Sequence, residues 1–185
     1  MRITGGVARG RKVVCPEGLA VRPTASKVRQ AFFNILGGRT VHAHFLDLFA
    51  GSGLMGLEAL SRGAASLVAV EENKRQVKAI EDSLKLLGFE LQGEVIAGDI
   101  RRVIPILEPE HYDIVFADPP YQSSLAASAL TLVDRHRLVS ARGVLAIEHA
   151  RQLPPEAELA NLDRFDTRNY GQTSISFYRY IDRPE

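Results

Sequence analysis

The sequence predicts an α/β fold in which a mostly parallel, seven-stranded sheet carries helices on both faces. From Phe45 onward, apolar runs of strand length alternate with segments whose apolar residues recur at helical spacing. Repeated strand–helix units of this kind are typical of parallel sheets covered on both sides. The chain has 185 residues, of which 45% are apolar and 24% charged, so it is long enough for one compact domain with a sizeable core.

Before this alternation, residues 1–23 predict a short hairpin or an extended arm, and a helix follows in TASKVRQAFFNILGG. Thr24 or Ser26 can cap the start of this helix, and two glycines, Gly37 and Gly38, end it. Its apolar face is formed by Val28, Phe32, Ile35 and Leu36.

The strand–helix units come next along the chain. Strands are expected in FLDLFA, SLVAVE, GEVIAGD, YDIVFADPP and GVLAIEHA, and helices in LMGLEALSRG, NKRQVKAIEDSLKLLG, IRRVIPIL and LAASALTLVDRHRL. The closing stretch FDTRNYGQTSISFYRYI predicts two strands with a turn near Gly171 and Gln172, which places an antiparallel strand at or near the edge of the sheet.

Charge is distributed unevenly along the chain. Residues 1–40 contain eight basic residues and one acidic residue, for a net charge of +7, whereas the rest of the chain carries −6. We therefore predict a basic N-terminal arm over residues 1–23 that contacts a polyanion such as nucleic acid, followed by the main domain over residues 24–185. A solvated basic edge without such a partner is the alternative.

The sequence favours a cytoplasmic protein. Cys15 is its one cysteine, so no disulfide can form within the chain, as is usual in a reducing compartment. No signal-peptide pattern is recognised at the start, and no apolar run approaches the length of about 18 residues that spans a membrane.

The stretch DLFAGSGLMG contains the spacing G-x-G-x-x-G at Gly51, Gly53 and Gly56, between a predicted strand and a predicted helix. Such a turn lets the backbone approach a ligand closely, and Glu71, 20 residues past Gly51, can accept hydrogen bonds from ribose hydroxyls. This pattern fits a nicotinamide dinucleotide and S-adenosylmethionine (SAM) equally well. Asp47 favours SAM, because a carboxylate near the turn would repel a pyrophosphate but attract the amino and sulfonium cations of SAM.

A third carboxylate, Asp99, is expected at the end of the third strand. There it could accept a hydrogen bond from an adenine amine, with Ile100 packed on the ring. It could equally cap the short helix that follows, and the two roles are compatible.

The sequence DPPY, from Asp118 to Tyr121, follows the fourth predicted strand, at the edge where open parallel sheets bind ligands. Two prolines impose a rigid, extended turn, and Pro119 keeps its carbonyl oxygen as an acceptor. The Asp118 carboxylate and this carbonyl can therefore face one amine while Tyr121 stacks on a planar base. Glu148, at the end of the fifth strand, is interpreted as a structural ion-pair partner, with a ligand-facing carboxylate as the alternative.

These motifs together resemble class I SAM-dependent methyltransferases of the amino-methylating (N/D)-P-P-(Y/F/W) type, and more narrowly the RsmD family of bacterial ribosomal RNA methyltransferases. The narrower resemblance depends on RITGGVARGRKV, VRPTASKVRQAFFNIL, FLDLFAGSGLMGLEALSRGA and DPPY, and it covers nearly the whole chain. It implies a Rossmann-like class I methyltransferase fold with a short N-terminal arm or hairpin.

The resemblance also assigns roles to individual residues. The catalytic segment would comprise Asp118, Pro119, Pro120 and Tyr121. The cofactor would be bound by Asp47, Phe49, Gly51, Gly53, Glu71, Asp99, Ile100 and Thr24. The RNA would be contacted by Arg9, Arg11, Lys12 and Arg22.

The implied activity is methyl transfer from SAM to the exocyclic N2 amine of a guanine in 16S ribosomal RNA, with S-adenosylhomocysteine as the other product and no metal ion. A monomer is expected to act on free RNA or on an assembling small subunit. The alternatives are an amino-methyltransferase acting on DNA adenine or cytosine or on a protein amide, a dinucleotide-dependent oxidoreductase, and a catalytically silent RNA-binding module.

Overall fold

The computed structural model describes residues 1–16, 26–120 and 124–181. The chain divides into two compact units, Met1–Asp99 and Ile100–Glu185. Each unit is built from strands and helices that alternate along the chain, and each is described by itself below.

The first unit contains three parallel strands. Its elements in chain order are α1 (Ser26–Leu36), a 3-10 turn (Gly37–Thr40), β1 (His44–Leu48), α2 (Leu54–Ser61), β2 (Ser66–Glu71), α3 (Lys74–Leu87) and β3 (Gly93–Ala97). Strand β2 pairs in parallel with β1 on one side and with β3 on the other. Since parallel strands end at the same edge, Asp47, opposite Ala69, and Glu71, opposite Ala97, both lie near the carboxyl edge of this part of the sheet.

Helix α2 is buried along its whole length. It can lie close to β2 because Gly56 has no side chain: a Cβ atom at this position would overlap with the Leu67 side chain. In a G-x-G-x-x-G turn, the third glycine allows the helix that follows the turn to pack this closely on the sheet.

Helix α3 has well-defined ends. The Asn73 side chain accepts hydrogen bonds from the backbone N–H groups of Arg75 and Gln76 at its start, and Gly88, with φ of 79°, terminates it in the left-handed conformation. The helix packs against β2 and β3 through an apolar face that includes Ile80, Leu84 and Leu87.

Residues 1–16 pack on this unit rather than extending into solvent. A bridge between Arg2 and Lys12 closes a hairpin-like loop whose Ile3 side chain is buried. The Val7 N–H donates to the Ser61 carbonyl oxygen at 2.8 Å, and the Val14 N–H donates to Ser83 Oγ at 2.9 Å. The segment is therefore hydrogen-bonded to both α2 and α3.

The second unit contains four strands. Its elements are α4 (Ile100–Val103), a 3-10 turn (Ile104–Ile106), β4 (Tyr112–Ala117), α5 (Leu125–Arg135), β5 (Val139–Ala150), β6 (Leu162–Tyr170) and β7 (Thr173–Tyr180). Strands β4 and β5 are parallel, whereas β7 runs antiparallel to both β5 and β6. The Asp134 carboxylate anchors the start of β6 by accepting the backbone N–H groups of Ala160, Asn161 and Leu162 at 2.8–2.9 Å.

The strand order of the seven-stranded sheet is β3-β2-β1-β4-β5-β7-β6. This confirms the fold class predicted from the sequence, including the antiparallel strands at the C-terminal end and the turn at Gly171. Strand β5 is longer than predicted, since it begins at Val139 instead of at Gly143.

One detail of the predicted α1 face is wrong. Ile35 is 41% exposed, whereas Arg29, a charged residue, is 2% exposed and lies among the buried residues of the helix. The reason is a buried carboxylate, Glu58 on α2, which pairs with Arg29 at 2.6 Å and also with Arg62. A charge can be buried when it is paired and hydrogen-bonded in this way.

Candidate active site

The glycine turn between β1 and α2 depends on left-handed backbone conformations. Gly51 has φ of 56° and Gly53 has φ of 70°. A Cβ atom at Gly53 would lie 2.8 Å from Ile80 Cγ1, so a side chain is excluded there by space as well as by conformation. Phe49, with φ of 63°, is a non-glycine residue in the same region, which marks a strained turn of the kind that clusters at functional sites.

Asp47 places a buried carboxylate beneath this turn. It is 2% exposed, and its Oδ2 accepts a hydrogen bond from the Gly56 backbone N–H at 3.1 Å. Burial raises the pKa of Asp47 to about 7; the Gly56 hydrogen bond opposes this rise and the neighbouring Glu71 adds to it. A cation bound close by would favour the ionised form, so the site is suited to a positively charged ligand.

Glu71, at the end of β2, is held by the turn itself. Its Oε2 accepts the Gly51 N–H at 2.8 Å, and its Oε1 accepts the Asn73 N–H at 2.8 Å. The Gln76 amide, oriented with its NH2 group towards acceptors, donates to the Gly51 carbonyl at 2.9 Å and to Glu71 Oε2 at 3.2 Å. Oε2 accepts two of these hydrogen bonds, whereas Oε1 accepts one and has a second lone pair, so Glu71 can still accept a hydrogen bond from a ligand through Oε1.

Gln76 was not singled out by the sequence reasoning. It lies in the first turn of α3, directly after the strand that ends in Glu71. A polar side chain at that place, on a helix that begins beside the glycine turn, is the signal that could have identified it.

The two residues expected at the adenine ring occupy different surroundings. Asp99 is half-buried and follows Gly98, whose N–H donates to the Glu71 carbonyl at 3.0 Å. Ile100 is buried at the start of α4.

In the second unit, the DPP segment follows β4 directly. Asp118 is half-buried, Pro119 is buried and Pro120 is exposed. Pro119 and Pro120 line a cavity of about 220 Å³, and Glu148 and His149, near the end of β5, line the same cavity. Tyr121, Arg22 and Thr24, which the sequence analysis assigned to the site, lie outside the described residues.

His149 is held in a defined tautomer. Burial is the main reason that its pKa is lowered from 6.5, so the ring is neutral at pH 7. Nδ1 lies 2.9 Å from the Ala150 carbonyl oxygen, an acceptor, and must therefore carry the proton. Nε2 accepts from the Ser176 hydroxyl at 2.9 Å, and Ser176 Oγ lies 3.1 Å from Thr167 Oγ1.

The candidate RNA-contacting residues of the N-terminal segment differ in whether their side chains make hydrogen bonds within the protein. Arg9 and Lys12 are exposed. Arg11 is also exposed, but its guanidinium donates to the backbone carbonyls of Leu86 and Leu87, at the C-terminal end of α3. A cation in this position satisfies helix-terminal carbonyls and complements the helix dipole.

Two features are absent from the residues that the structure describes. Within residues 1–16, 26–120 and 124–181, no group of three or more His, Cys, Asp or Glu side chains is arranged to hold a metal ion. Within the same ranges, no helix combines the length and apolar character needed to cross a membrane.

Comparison with known proteins places this fold in a class. The solved structure of the Escherichia coli protein yhhF matches with a TM-score of 0.86 and 30% identity, covering 99% of each chain. A Salinibacter ruber RNA methyltransferase solved with S-adenosyl-L-homocysteine matches with a TM-score of 0.64 at 13% identity, over 88% of this chain and 96% of that one, which shows a shared fold. The architecture is that of the class I methyltransferases.

The sequence comparisons identify a particular family within this class. The family model described as "Conserved hypothetical protein 95" matches residues 1–179. Ribosomal RNA small subunit methyltransferase D of Escherichia coli is 33% identical over 179 residues, 97% of this chain and 89% of that protein; its Haemophilus influenzae counterpart is 32% identical over 83% and 81%. The chain belongs to this family, the RsmD family of methyltransferases, as the sequence motifs predicted.

Proposed function

We propose that this protein transfers a methyl group from SAM to the exocyclic N2 amine of a guanine in 16S ribosomal RNA, releasing S-adenosylhomocysteine. The observation that carries the cofactor assignment is the buried Asp47 carboxylate beneath the glycine turn. A pyrophosphate beside this group would add negative charge to a site where burial already opposes ionisation, whereas the amino and sulfonium groups of SAM would stabilise it. The ribosomal substrate is supported by the names of the relatives.

Residues of the first unit would bind the cofactor. Asp47 would attract its cationic end, with Gly51 and Gly53 providing close backbone approach, and the Glu71 carboxylate would accept hydrogen bonds from the ribose hydroxyls. The remaining members of the predicted cofactor set are Phe49, Asp99, Ile100 and Thr24. When bound, SAM supplies an electrophilic methyl group on a sulfonium sulfur.

The DPP segment of the second unit would prepare the nucleophile. The lone pair of a guanine amine is delocalised into the ring, so the amine is a weak nucleophile. The Asp118 carboxylate and the Pro119 carbonyl would accept its two N–H groups, which raises the electron density on nitrogen and directs the lone pair towards the methyl carbon. Such preorganised acceptors also stabilise the positive charge that develops on nitrogen before it loses a proton.

The remaining assignments concern the RNA. The target base must leave its stack, which costs a few kcal/mol for a paired base, and stacking on Tyr121 would recover about 1–3 kcal/mol. Arg9, Lys12 and Arg22 would contact phosphates. Arg11 would join them only to the extent that its contacts with the end of α3 leave donors available.

The test is transfer of labelled methyl from SAM to small-subunit ribosomal RNA and to partly assembled small subunits, both from cells that lack this protein. The RNA is digested and the labelled nucleoside identified. The wild type and the control variant Asp163→Ala, which removes an exposed carboxylate on β6, should produce N2-methylguanosine. Asp118→Ala should reduce the rate by at least about 100-fold, because it removes one of two acceptors for the amine.

Other outcomes would contradict the proposal in distinguishable ways. Label in DNA adenine, DNA cytosine or a protein amide would keep the methyltransferase assignment and change the substrate. SAM binding without transfer to any of these would indicate a silent RNA-binding module. Binding of a nicotinamide or flavin dinucleotide in place of SAM would indicate an oxidoreductase.

A further inference from the structure

We propose that the cavity beside Pro119 and Pro120 receives the target base, and that the Glu148 carboxylate selects guanine there by accepting a hydrogen bond from the ring N1–H. This inference rests on the proposed function, which it deepens by naming a residue that determines which base is methylated. The sequence analysis favoured a structural ion pair for Glu148, with a ligand-facing carboxylate as the alternative; the position of this residue favours the alternative.

The register of the sheet puts Glu148 next to the DPP segment. Strands β4 and β5 are parallel, and Ala117 lies opposite Ile147. Asp118 and Glu148 therefore each come directly after this last pair, at the carboxyl ends of neighbouring strands. Pro119, Pro120 and Glu148 all line the same cavity, so a ligand held at the DPP segment lies within reach of Glu148.

The size of the cavity suits a single base. Its volume is about 220 Å³, which is below the range of about 300–1,000 Å³ usual for pockets that hold drug-sized ligands. Much of its lining is flat and apolar, including Pro119, Pro154 and Pro155. A planar ring with polar groups on one edge matches such a lining.

The charge of the cavity also points to a hydrogen-bond donor. Glu148 is 4% exposed. In its ionised form, which N–H donors on a ligand would favour, the carboxylate offers only acceptors. Two other titratable groups line the cavity: Glu156 is a second carboxylate, on an exposed residue, and His149 is neutral at pH 7 and uses both ring nitrogens within the fold. The ligand edge that Glu148 prefers is therefore one that presents N–H groups.

Guanine presents such an edge next to the proposed methylation site. Its ring nitrogen N1 carries a hydrogen and adjoins the carbon that bears the N2 amine. In adenine and cytosine the ring nitrogen beside the exocyclic amine is instead a lone-pair acceptor, which a carboxylate would repel. Since sites built around a specific hydrogen bond strongly reject analogues that lack it, Glu148 would favour guanine over the other amino-bearing bases.

The experiment uses small-subunit RNA assembled by ligation, with guanine or 2-aminopurine at the nucleotide that the wild type methylates. 2-Aminopurine keeps the N2 amine but has a lone pair at N1. We expect the wild-type enzyme to prefer guanine by at least about 100-fold in kcat/KM. Glu148→Gln should slow guanine methylation by about 10-fold, because a neutral amide oxygen accepts the N1–H more weakly than a carboxylate. It should also reduce the preference to within about 10-fold, because the amide NH2 group can donate to N1 of 2-aminopurine.

The control variant is Glu108→Gln, which makes the same chemical change at an exposed position of the second unit and should keep the wild-type preference. Equal methylation of guanine and 2-aminopurine by the wild type would overturn the inference without any variant. A parallel loss on both substrates in Glu148→Gln, with SAM affinity and Tm unchanged, would also overturn it and leave the proposed function intact. Failure of the wild type to produce N2-methylguanosine would instead remove the proposed function, and the inference with it.

Discussion

At the scale of single residues, Asp47 shows how a site can be prepared at the expense of stability. Its carboxylate is buried beneath the glycine turn with one backbone hydrogen bond, and its pKa is raised to about 7. Because the folded protein holds this proton more tightly than the unfolded chain, the associated stability is fully present below the ordinary pKa of 3.8. It is lost as the pH rises through about 7.

Replacement of Asp47 by asparagine should therefore stabilise the ligand-free protein at pH 8, by up to about 4 kcal/mol, and should have little effect at pH 4. The same variant should bind SAM at least about tenfold more weakly, since it removes the charge that attracts the cation. Urea unfolding at the two pH values and calorimetric titration with SAM measure both effects. The exposed Asp163→Asn serves as control; a destabilised Asp47→Asn at pH 8, or one with unchanged SAM affinity, would show that Asp47 has another role.

At the scale of secondary-structure elements, the position of α2 on β2 decides where the glycine turn lies. All eight residues of the helix are buried, and Gly56 faces Leu67 with no room for a Cβ atom. The Glu58 carboxylate on the same helix binds the N-terminal segment through Thr4 and α1 through Arg29. The helix thus connects three other parts of the first unit.

Gly56→Ala should destabilise the protein by up to about 2 kcal/mol, although alanine is the better helix former. Overpacking costs about 1–3 kcal/mol, and the gain in helix propensity offsets about 1 kcal/mol of this. Leu67→Ala in the same chain should restore space, so the two changes should be non-additive in a double-mutant cycle. Additive losses in urea unfolding would mean that Gly56 and Leu67 do not constrain each other.

At the scale of the whole molecule, the uneven charge is the feature from which we predict a contact with RNA. The excess of basic residues lies in residues 1–40, yet the described part of the N-terminal segment is packed on α2 and α3. Arg11 contacts the carbonyls at the end of α3, whereas Arg9 and Lys12 are exposed. The residues of this segment should therefore differ in their effects on RNA binding and on stability.

Arg9→Ala should weaken RNA binding without changing Tm. The plot of log K against log salt concentration has a negative slope, and the variant should make it less steep by about 0.9, the value for one phosphate contact. Arg11→Ala should lower the free energy of unfolding by about 0.3–1 kcal/mol, because it removes a cation from a helix C-terminus. RNA binding measured over a series of salt concentrations, together with thermal unfolding, separates the effect on RNA binding from the effect on stability. Arg142→Ala, an exposed arginine near the start of β5, should leave the slope unchanged; equal slope changes in all three variants would argue against a specific RNA-binding role for the N-terminal segment.

The local sequence by itself determined the alternation of strands and helices, the left-handed glycine turn, the carboxylate at Asp47 and the rigid DPP segment. These features depend on periodicity and on backbone conformations that a few adjacent residues impose. The resemblance carried by the motifs also identified the family.

Only the tertiary structure decided which charges are buried and which groups they meet. Arg29 is buried because Glu58 lies opposite it, Gln76 supports Glu71 across the glycine turn, and Arg11 meets the end of α3 some 75 residues later. Glu148 lies beside the DPP segment because the last four residues of β4, Ile114–Ala117, pair with Val144–Ile147 of β5. Contacts between residues far apart in the sequence produce no periodic pattern in it. They therefore cannot be predicted from the sequence and are seen only once the strands and helices have packed together.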